Sequence, residues 1–148
     1  MPTKHLFHAH LVWAKPADGA GTHRVEFANR PTLEVAAAPQ YKGDPTKHNP
    51  EELFLASLVS CQMLTYLALA GRSGVDVSAY EDQAEATLTM ADRRMRITEV
   101  VLHPRITISP EADENKARAL VDAAHEGCFI ANSVACTVRA EPQIVRGS

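Results

Sequence analysis

Residues 48–74 read HNPEELFLASLVSCQMLTYLALAGRSG, and this stretch decides the fold of the chain. Asn49 is a good N-cap, and Pro50 suits the first helical position. Glu52, three residues after the cap, completes a capping-box-like start. At the other end, Gly71 is typical of a helix stop. We therefore predict one long helix that begins at Pro50 and ends at about Gly71.

Apolar side chains cover nearly the whole circumference of this helix, which predicts burial on most of its sides. In a chain of only 148 residues, such burial hints at a partner subunit that covers one side. The apolar run is interrupted by Ser57, Ser60, Gln62 and Thr65. It is therefore too polar for a membrane span, and a buried helix is the better interpretation.

Alternation of polar and apolar residues predicts β-strands on both sides of the helix. Three short strands precede it and two longer extended segments follow: His5–Trp13, Thr22–Ala28, Thr32–Ala37, Ala79–Met90 and Arg96–Ser109. Ser109 is predicted to cap a second helix that ends at Gly127, followed by a short helical turn from Cys128 and a last strand over Ala135–Val145. The order βββ-α-ββ-α-β groups its strands, which predicts an α+β fold in one domain over residues 1–148.

Charge and composition exclude several classes of protein. The net charge is -3 and no run of Lys or Arg occurs, so nucleic acid is not an expected partner. The first residues, MPTKHLFHAHLVW, alternate instead of forming a signal peptide, and we expect a cytoplasmic protein without a membrane segment. In a reducing compartment the three cysteines are expected to be core residues, metal ligands or redox-active groups.

Two of the cysteines lie in settings that favour chemistry. A lone cysteine in an apolar helix is usually a small core residue, but Cys61 is flanked by the polar Ser60 and Gln62. Cys128 follows the helix-ending Gly127, where backbone N–H groups of a new helical turn would stabilise a thiolate. A two-cysteine peroxidase needs one such thiolate and a second thiol within bonding reach. The spacing allows this chemistry without demanding it.

The other candidate ligands and thiols have simpler interpretations. His5, His8 and His10 lie on a predicted strand without a third ligand nearby, and are expected to be ordinary surface or half-buried histidines. A metal site built from Cys61, Cys128, His48 and His125 is an alternative, but it lacks any C-x-x-C spacing. Cys136 alternates with valines in a predicted strand and is expected to be a core residue.

The segment HNPEELFLASLVSCQML, residues 48–64, closely resembles the helix of the OsmC/Ohr family that carries the peroxidatic cysteine. The segment GCFIANSV, residues 127–134, resembles the one that carries the second cysteine of that family. The N-terminal hairpin that ends in Trp13, the TEVVLHPRITI strand and the order of elements also fit. The resemblance covers essentially the whole chain.

The resemblance implies a thiol-dependent peroxidase that reduces organic hydroperoxides, of the alkyl or lipid type, in preference to hydrogen peroxide. Cys61 would be the attacking thiol and Cys128 its resolving partner, with a disulfide formed in each turnover. The resemblance also implies an intertwined homodimer with two active sites at the subunit interface. No bound cofactor is expected, and an external dithiol, such as a dihydrolipoyl protein, would reduce the disulfide.

Glu51 matches the family's glutamate, which holds an arginine beside the reactive sulfur. A cation there would lower the pKa of the thiol and polarise the peroxide. Ten helical residues separate Glu51 from Cys61 by roughly 15 Å, so Glu51 would act through the arginine, through a bend or across the dimer. The simpler interpretation is a first-turn acid that serves the helix dipole.

The arginine is a departure from the family pattern, because its position in the osmotically inducible branch is Gln40 here. Arg30, Arg24 and Lys42 are the candidates to supply the cation. We favour Arg30 as part of the catalytic set with Cys61, Cys128 and Glu51, because it precedes a strand that would direct it into the dimer cleft.

A different function class is compatible with the same scaffold. The protein would then bind a small hydrophobic ligand in an apolar pocket at the dimer interface, and its cysteines would be a redox sensor or vestigial. Gln40 at the expected arginine position supports this alternative.

Overall fold

The structure is a computed structural model that describes residues 2–148, and the chain divides into two compact units, Met1–Leu53 and Phe54–Ser148. The helices are α1 (Pro50–Ser73) and α2 (Glu114–Gly127). The strands are β1 (His10–Val12), β2 (His23–Glu26), β3 (Leu33–Val35), β4 (Val77–Asp82), β5 (Glu85–Ala91), β6 (Arg94–Leu102), β7 (Pro104–Ile108), β8 (Thr137–Ala140) and β9 (Gln143–Arg146). The strands form three small sheets, and with the two helices they give the predicted α+β fold. The prediction of a single domain over residues 1–148 stays a prediction.

The first unit holds an antiparallel meander of β1, β2 and β3. Leu11 lies opposite Val25, and Val25 lies opposite Leu33. These three apolar side chains therefore share one face of the sheet, as the alternation of polar and apolar residues predicts. The strands are shorter than predicted, since only His10–Val12 of the segment from His5 onward is paired within the described residues. Most side chains before His10 are exposed, and alternation alone does not hold a strand that has no neighbour.

The second unit contains two mixed sheets, ordered β4-β7-β9 and β5-β6-β8. The outer pairs, β4 with β7 and β5 with β6, are antiparallel, whereas β9 and β8 join their sheets in parallel. The tip between β5 and β6 is formed by Asp92 and Arg93, both at positive φ. Two positive-φ residues are typical of a type I′ hairpin turn.

The two long extended segments and the last strand predicted for this unit are each divided into two strands, which corrects the prediction. Every segment leaves one sheet and enters the other, at residues 83–84, at His103 and at residues 141–142. At this corner the backbone N–H of His103 donates to Asp82 Oδ1 over 2.8 Å, and Glu141 N donates to Leu102 O over 2.8 Å. The corner bonds compensate for the interrupted sheet ladder, and no break in the alternation marked them in the sequence.

The helix was predicted to be buried on most of its sides. Within the single chain α1 is not, which corrects that prediction. Its fully buried residues form one stripe at four-residue spacing: Leu58, Gln62, Tyr66 and Ala70. On other faces Leu64 and Leu67 are exposed. By length and mean hydropathy the helix could also cross a bilayer, but its buried stripe packs into two apolar cores of its own unit.

Helix α2 begins four residues later than predicted. Ser109 closes a turn by accepting from Ala112 N, and the N-cap is Asp113, whose side chain accepts from Lys116 N over 3.1 Å. The predicted end at Gly127 is confirmed, and Cys128 is the C-cap. The short helical turn predicted after Cys128 is a 3-10 turn over Ala131–Ser133.

A candidate redox site with two adjacent thiols

The second unit brings Cys61 and Cys128 together. Cys61 lies in the middle of α1 and is half-buried, whereas Cys128 follows the end of α2 and is 1% exposed. Both cysteines are free thiols, and each lies near enough to the other to shift its pKa. Residues 67 positions apart in sequence therefore form a pair of neighbouring thiols.

The backbone after Cys128 turns sharply around the two sulfur atoms. Asn132 N donates to Cys128 O over 3.0 Å, which closes one helical turn. Inside that turn, Ala131 N donates to Cys128 Sγ over 3.4 Å, and the amides of Phe129 and Ile130 lie near enough to the thiol of Cys61 to lower its pKa. The sequence predicted that amides of this turn stabilise a thiolate on Cys128, but the thiol whose pKa is lowered is that of Cys61.

The amides of Phe129 and Ile130 make the thiol of Cys61 easier to ionise. Burial raises the pKa of the Cys61 thiol, but the Ile130 amide, the Cys128 thiol, the Thr65 hydroxyl and the Phe129 amide together lower it below its ordinary value. Hydrogen bonds to the charged form of a group favour that form. Cys61 is therefore the thiol of the pair that more readily becomes a thiolate, which is the nucleophilic form.

The second thiol is shifted in the opposite direction. Burial raises the pKa of Cys128, and although the Ala131 amide acts against it, the hydrogen bond and the negative charge of Cys61 raise it further. Two acids in contact cannot both ionise easily, since the first charge disfavours the second. The pair therefore consists of one thiol inclined to be an anion and one inclined to stay protonated.

Thr65 and Gly127 bring the end of α2 close to α1. The Thr65 hydroxyl donates to Cys61 O over 2.8 Å, one helical turn back. A Cβ added at Gly127 would lie 3.4 Å from Thr65 Cγ2. A side chain at Gly127 would therefore contact α1 one turn beyond Cys61.

Gln62, the polar neighbour of Cys61, is 1% exposed and faces α2. Its Nε2 donates to Val121 O over 3.1 Å, whereas its Oε1 is buried without a hydrogen-bond partner among residues 2–148. The donor half of this amide therefore has a specific partner in α2.

Glu51 lies in the first turn of α1, within the first unit. The cap next to it is confirmed, because Asn49 Oδ1 accepts from Glu52 N over 2.9 Å. Glu51 Oε2 is buried and accepts no hydrogen bond from any described residue of the chain. An unpartnered buried carboxylate oxygen is unusual, and a cation bound beside it would supply the missing partner.

The candidate cations of the first unit have other contacts or are exposed. Arg30 is exposed and donates to Ala28 O over 3.3 Å, and Arg24 Nε lies 3.6 Å from Glu26. Gln40 is exposed on a 3-10 turn, Pro39–Tyr41, that Lys42 ends at a φ of 65°. The role predicted for Arg30 stays a prediction.

Cys136 is half-buried and packs against the apolar cluster around Leu58, Val100 and Leu102, as predicted for a core residue. Reasoning from the sequence missed Thr65, and it assigned the amides after Cys128 to a thiolate on Cys128 and not on Cys61. Thr65 was detectable, since it lies four residues after Cys61 and hence on the same helix face. The amides were detectable only as members of a turn, because backbone groups have no signature in residue type.

Comparison with known proteins agrees with this geometry. The model of the family described as OsmC-like protein matches residues 43–142. The uncharacterized protein YmaD of Bacillus subtilis is 20% identical over 133 residues, which are 88% of this chain and 87% of that protein.

The fold of the chain is similar to that of solved structures. An OsmC-like protein of unknown function from Vibrio cholerae superposes with a TM-score of 0.88 at 27% identity, covering 94% of this chain and 99% of that one. An organic hydroperoxide resistance protein OsmC from Legionella pneumophila superposes with a TM-score of 0.74 at 21% identity, covering 97% and 99%. The chain therefore belongs to the OsmC-like family.

Proposed function

We propose that the protein is a thiol peroxidase that reduces organic hydroperoxides of the alkyl or lipid type. The observation that carries the proposal is the proximity of Cys61, whose pKa is lowered, to the buried Cys128. A peroxidase of this kind requires one thiolate and one protonated thiol within bonding reach. The Legionella relative, named as an organic hydroperoxide resistance protein, supports the choice of substrate.

In the first step, the Cys61 thiolate attacks the terminal oxygen of the hydroperoxide. The O–O bond breaks, Cys61 becomes a sulfenic acid, and the alkoxide leaves and takes up a proton as an alcohol. The amides of Phe129 and Ile130 assist this step because they stabilise the thiolate that attacks.

In the second step, Cys128 attacks the sulfenic sulfur. The S–S bond forms as the S–O bond breaks, and the hydroxyl leaves with the thiol proton as water. An external dithiol then reduces the Cys61–Cys128 disulfide by exchange. A dihydrolipoyl protein is the dithiol we propose, in the cytoplasm, where such thiols stay reduced.

Glu51 is proposed to hold a cation beside the reactive site. Its buried and unpartnered Oε2 supports this role, since a guanidinium would satisfy that oxygen with a charge-assisted hydrogen bond. Arg30 remains the proposed donor. The matched pair Arg30→Ala and Arg24→Ala tests it, because only loss of the donor should lower the rate of peroxide reduction.

An intertwined homodimer is part of the proposal. Large apolar side chains that stay exposed in the single chain support it, including Leu64 on α1, at 62% exposure, and Phe129, at 81%. Exposed apolar groups of this size are typical of surfaces that bind another protein. Sedimentation of the purified protein should give twice the mass of the chain.

The test is peroxide consumption by the reduced protein, with cumene hydroperoxide and a dithiol as substrates. Wild type should consume peroxide through many turnovers, and Cys61→Ser should consume none above background. Cys128→Ser, treated with peroxide before the dithiol is added, should stop after forming the sulfenic acid. Mass spectrometry should find an intramolecular disulfide in the wild type only. Cys136→Ser is the matched control, and it should keep the wild-type rate because that residue packs in the core.

Two outcomes would contradict the proposal in different ways. If the wild type consumes no more peroxide than Cys61→Ser, the protein is not a peroxidase. If wild type treated with peroxide in the absence of dithiol forms no Cys61–Cys128 disulfide by mass spectrometry, Cys128 is not the resolving thiol.

A second function, binding of a small hydrophobic ligand, is favoured by a cleft in the second unit. The cleft has a volume of about 370 Å³ and is lined by residues that include Phe54, Ile97, Val134 and Cys136. A mainly apolar cleft of this size fits a small apolar molecule. Binding of an apolar fluorescent probe to wild type but not to Val134→Arg, together with inactivity towards peroxide, would favour this function over the first.

A further inference from the structure

The cleft of about 370 Å³ in the second unit is lined by a cation as well as by apolar side chains. Phe54 of α1, Ile97 of β6 and Val134 give it apolar walls from three different segments of the chain. Arg96, next to Ile97 on β6, is the one charged residue among the described residues that line it. The cleft therefore combines an apolar cavity with a single positive group.

The guanidinium of Arg96 is available to a ligand. Its Nη2 lies 3.8 Å from Asp92 Oδ2, beyond ordinary hydrogen-bond distance, and the side chain of Asp92 is 90% exposed. An exposed ion pair of this kind contributes little. Arg96 donates no hydrogen bond within residues 2–148, whereas the guanidinium of Arg146 donates to two backbone carbonyls. A ligand at Arg96 would therefore displace at most one loose contact.

The cleft is separate from the pair of thiols. Neither Cys61 nor Cys128 lines it, and Phe54 precedes Cys61 by two helical turns, about 10 Å along α1. On the opposite wall, the Ser133 hydroxyl donates to Phe129 O over 2.7 Å, so its proton is already used. A molecule in the cleft would thus bind beside the redox site without reaching either sulfur through these walls.

One guanidinium selects the charge of the ligand. The planar N–H groups of arginine match the paired oxygens of a carboxylate or a phosphate. A phosphate monoester carries up to about two negative charges near neutral pH, whereas a carboxylate carries one. With a single cation in the lining, the cleft balances one negative charge, and its apolar walls fit a hydrocarbon body.

We propose that the cleft binds a small apolar monocarboxylate, whose carboxylate pairs with Arg96 and whose hydrocarbon part packs against Phe54, Ile97 and Val134. The inference rests on the second proposed function, ligand binding in this cleft, and it names the class of the ligand. Binding is non-covalent, and it does not require either thiol of the redox site to react.

The test compares two probes that have the same chain and differ in charge. Octanoate and its neutral analogue octanamide are titrated separately into the wild-type protein by calorimetry, below the concentrations at which they aggregate. Octanoate should bind once per chain. Octanamide should bind about tenfold more weakly or worse, because it lacks the charge-assisted hydrogen bonds to Arg96.

Arg96→Gln should weaken octanoate by about tenfold and leave the affinity for octanamide unchanged, since it removes the charge and little else. Arg105→Gln is the matched control. Arg105 is also an exposed arginine on a strand of the same unit, 4.0 Å from Glu81, but it does not line the cleft. Val134→Trp, which fills the cleft, should weaken both probes, and melting temperatures verify that each variant is folded.

Equal affinity of wild type for the two probes would overturn the inference and leave the second proposed function standing, because the cleft would then select apolar bulk alone. Equal weakening of octanoate in Arg96→Gln and Arg105→Gln would also overturn it, since that result indicates a general effect of charge. Saturable binding of neither probe would overturn both the inference and the second function. Cys61→Ser should bind octanoate like the wild type, so the result is independent of peroxidase activity.

Discussion

Cys61 and Cys128 differ in almost every respect that controls reactivity, although their thiols are neighbours. Cys61 lies on a long helix and is half-buried, and two amides of the opposite segment lower its pKa. Cys128 lies in a turn and is fully buried, and the Ala131 amide donates to its sulfur. The pKa of the first is lowered and that of the second is raised.

The pKa of each thiol in this pair depends more on the backbone opposite it than on its own neighbours in sequence. The residues around Cys61 are mostly apolar and would by themselves disfavour a thiolate. The donors come from residues 129–130, which follow the other cysteine. The second thiol therefore brings with it the groups that activate the first.

The largest expected effect is selective alkylation of the two thiols. Because its pKa is lowered, Cys61 retains a thiolate fraction near neutral pH, and its rate of alkylation should reach half its plateau below the ordinary thiol pKa. Cys128, with its pKa raised, should reach half its plateau above that value. At neutral pH, we expect Cys61 to react more than about tenfold faster.

Peptide mass spectrometry after short pulses of iodoacetamide at increasing pH measures both rates in one sample. The same protein unfolded in denaturant is the control, and there the two rates should converge. Faster modification of Cys128 than of Cys61 in the folded protein would reverse the roles of the two thiols.

The second prediction removes one activating amide. Ile130 has a φ of -72°, which proline adopts, so Ile130→Pro removes the N–H without changing that angle. Loss of one hydrogen bond to a charged group should raise the pKa of Cys61 and slow its alkylation at neutral pH by about five- to tenfold. Ile130→Ala is the matched control, because it keeps the N–H and loses only the side chain.

Ile130→Ala should react at nearly the wild-type rate, and both variants should show the wild-type circular dichroism spectrum. Equal slowing in the two variants would mean that packing of the Ile130 side chain, and not its amide, controls the reactivity of Cys61.

Much of this arrangement was predictable from the sequence, for identifiable reasons. The cap at Asn49 and the helix end at Gly127 are local signals, and the structure confirms both. The family segments around Cys61 and Cys128 predicted that two distant residues meet. The prediction that amides after Cys128 stabilise a thiolate was correct, but the thiolate they favour is on Cys61.

What the sequence did not reveal depends on contacts between distant residues. The corner at His103 divides what the alternation predicted as one strand, because a hydrogen bond to Asp82 decides where the chain changes sheet. Likewise, the hydroxyl of Tyr80 lacks a partner and that of Tyr66 has one, although both are tyrosines in apolar surroundings. Such differences arise only when tertiary packing fixes which atoms meet.

The third prediction concerns Thr65, whose hydroxyl contributes to the lowered pKa of Cys61. Thr65→Val keeps the shape and removes the O–H, so the pKa of Cys61 should rise slightly. Alkylation of Cys61 at neutral pH should slow by about two- to threefold, since the hydroxyl also bonds to the Cys61 carbonyl and is only partly available. Thr65→Ser retains the donor and should retain the rate.

If Thr65→Ser slows as much as Thr65→Val, the methyl group is what matters. That result would indicate that Thr65 acts through its packing against Gly127 and not through its hydroxyl.

The smallest effect tests how tightly the two cysteine-bearing segments approach each other. Gly71 and Gly127 both lie in the last turns of helices, and neither has a positive φ. Alanine favours a helix over glycine by about 1 kcal/mol, so both Gly→Ala substitutions gain this term. A Cβ at Gly71 meets nothing within 4 Å, whereas at Gly127 it lies 3.4 Å from Thr65 Cγ2.

Gly71→Ala should therefore raise the free energy of unfolding by about 0.5–1 kcal/mol, and Gly127→Ala should raise it less. The difference between the two, from parallel urea titrations, measures the close contact between α2 and Thr65. A smaller gain at Gly127, with slower disulfide formation, would mean that the glycine maintains the distance between the thiols. An equal gain in both variants would mean that the two segments have room to spare, and that the proximity of Cys61 and Cys128 does not depend on this glycine.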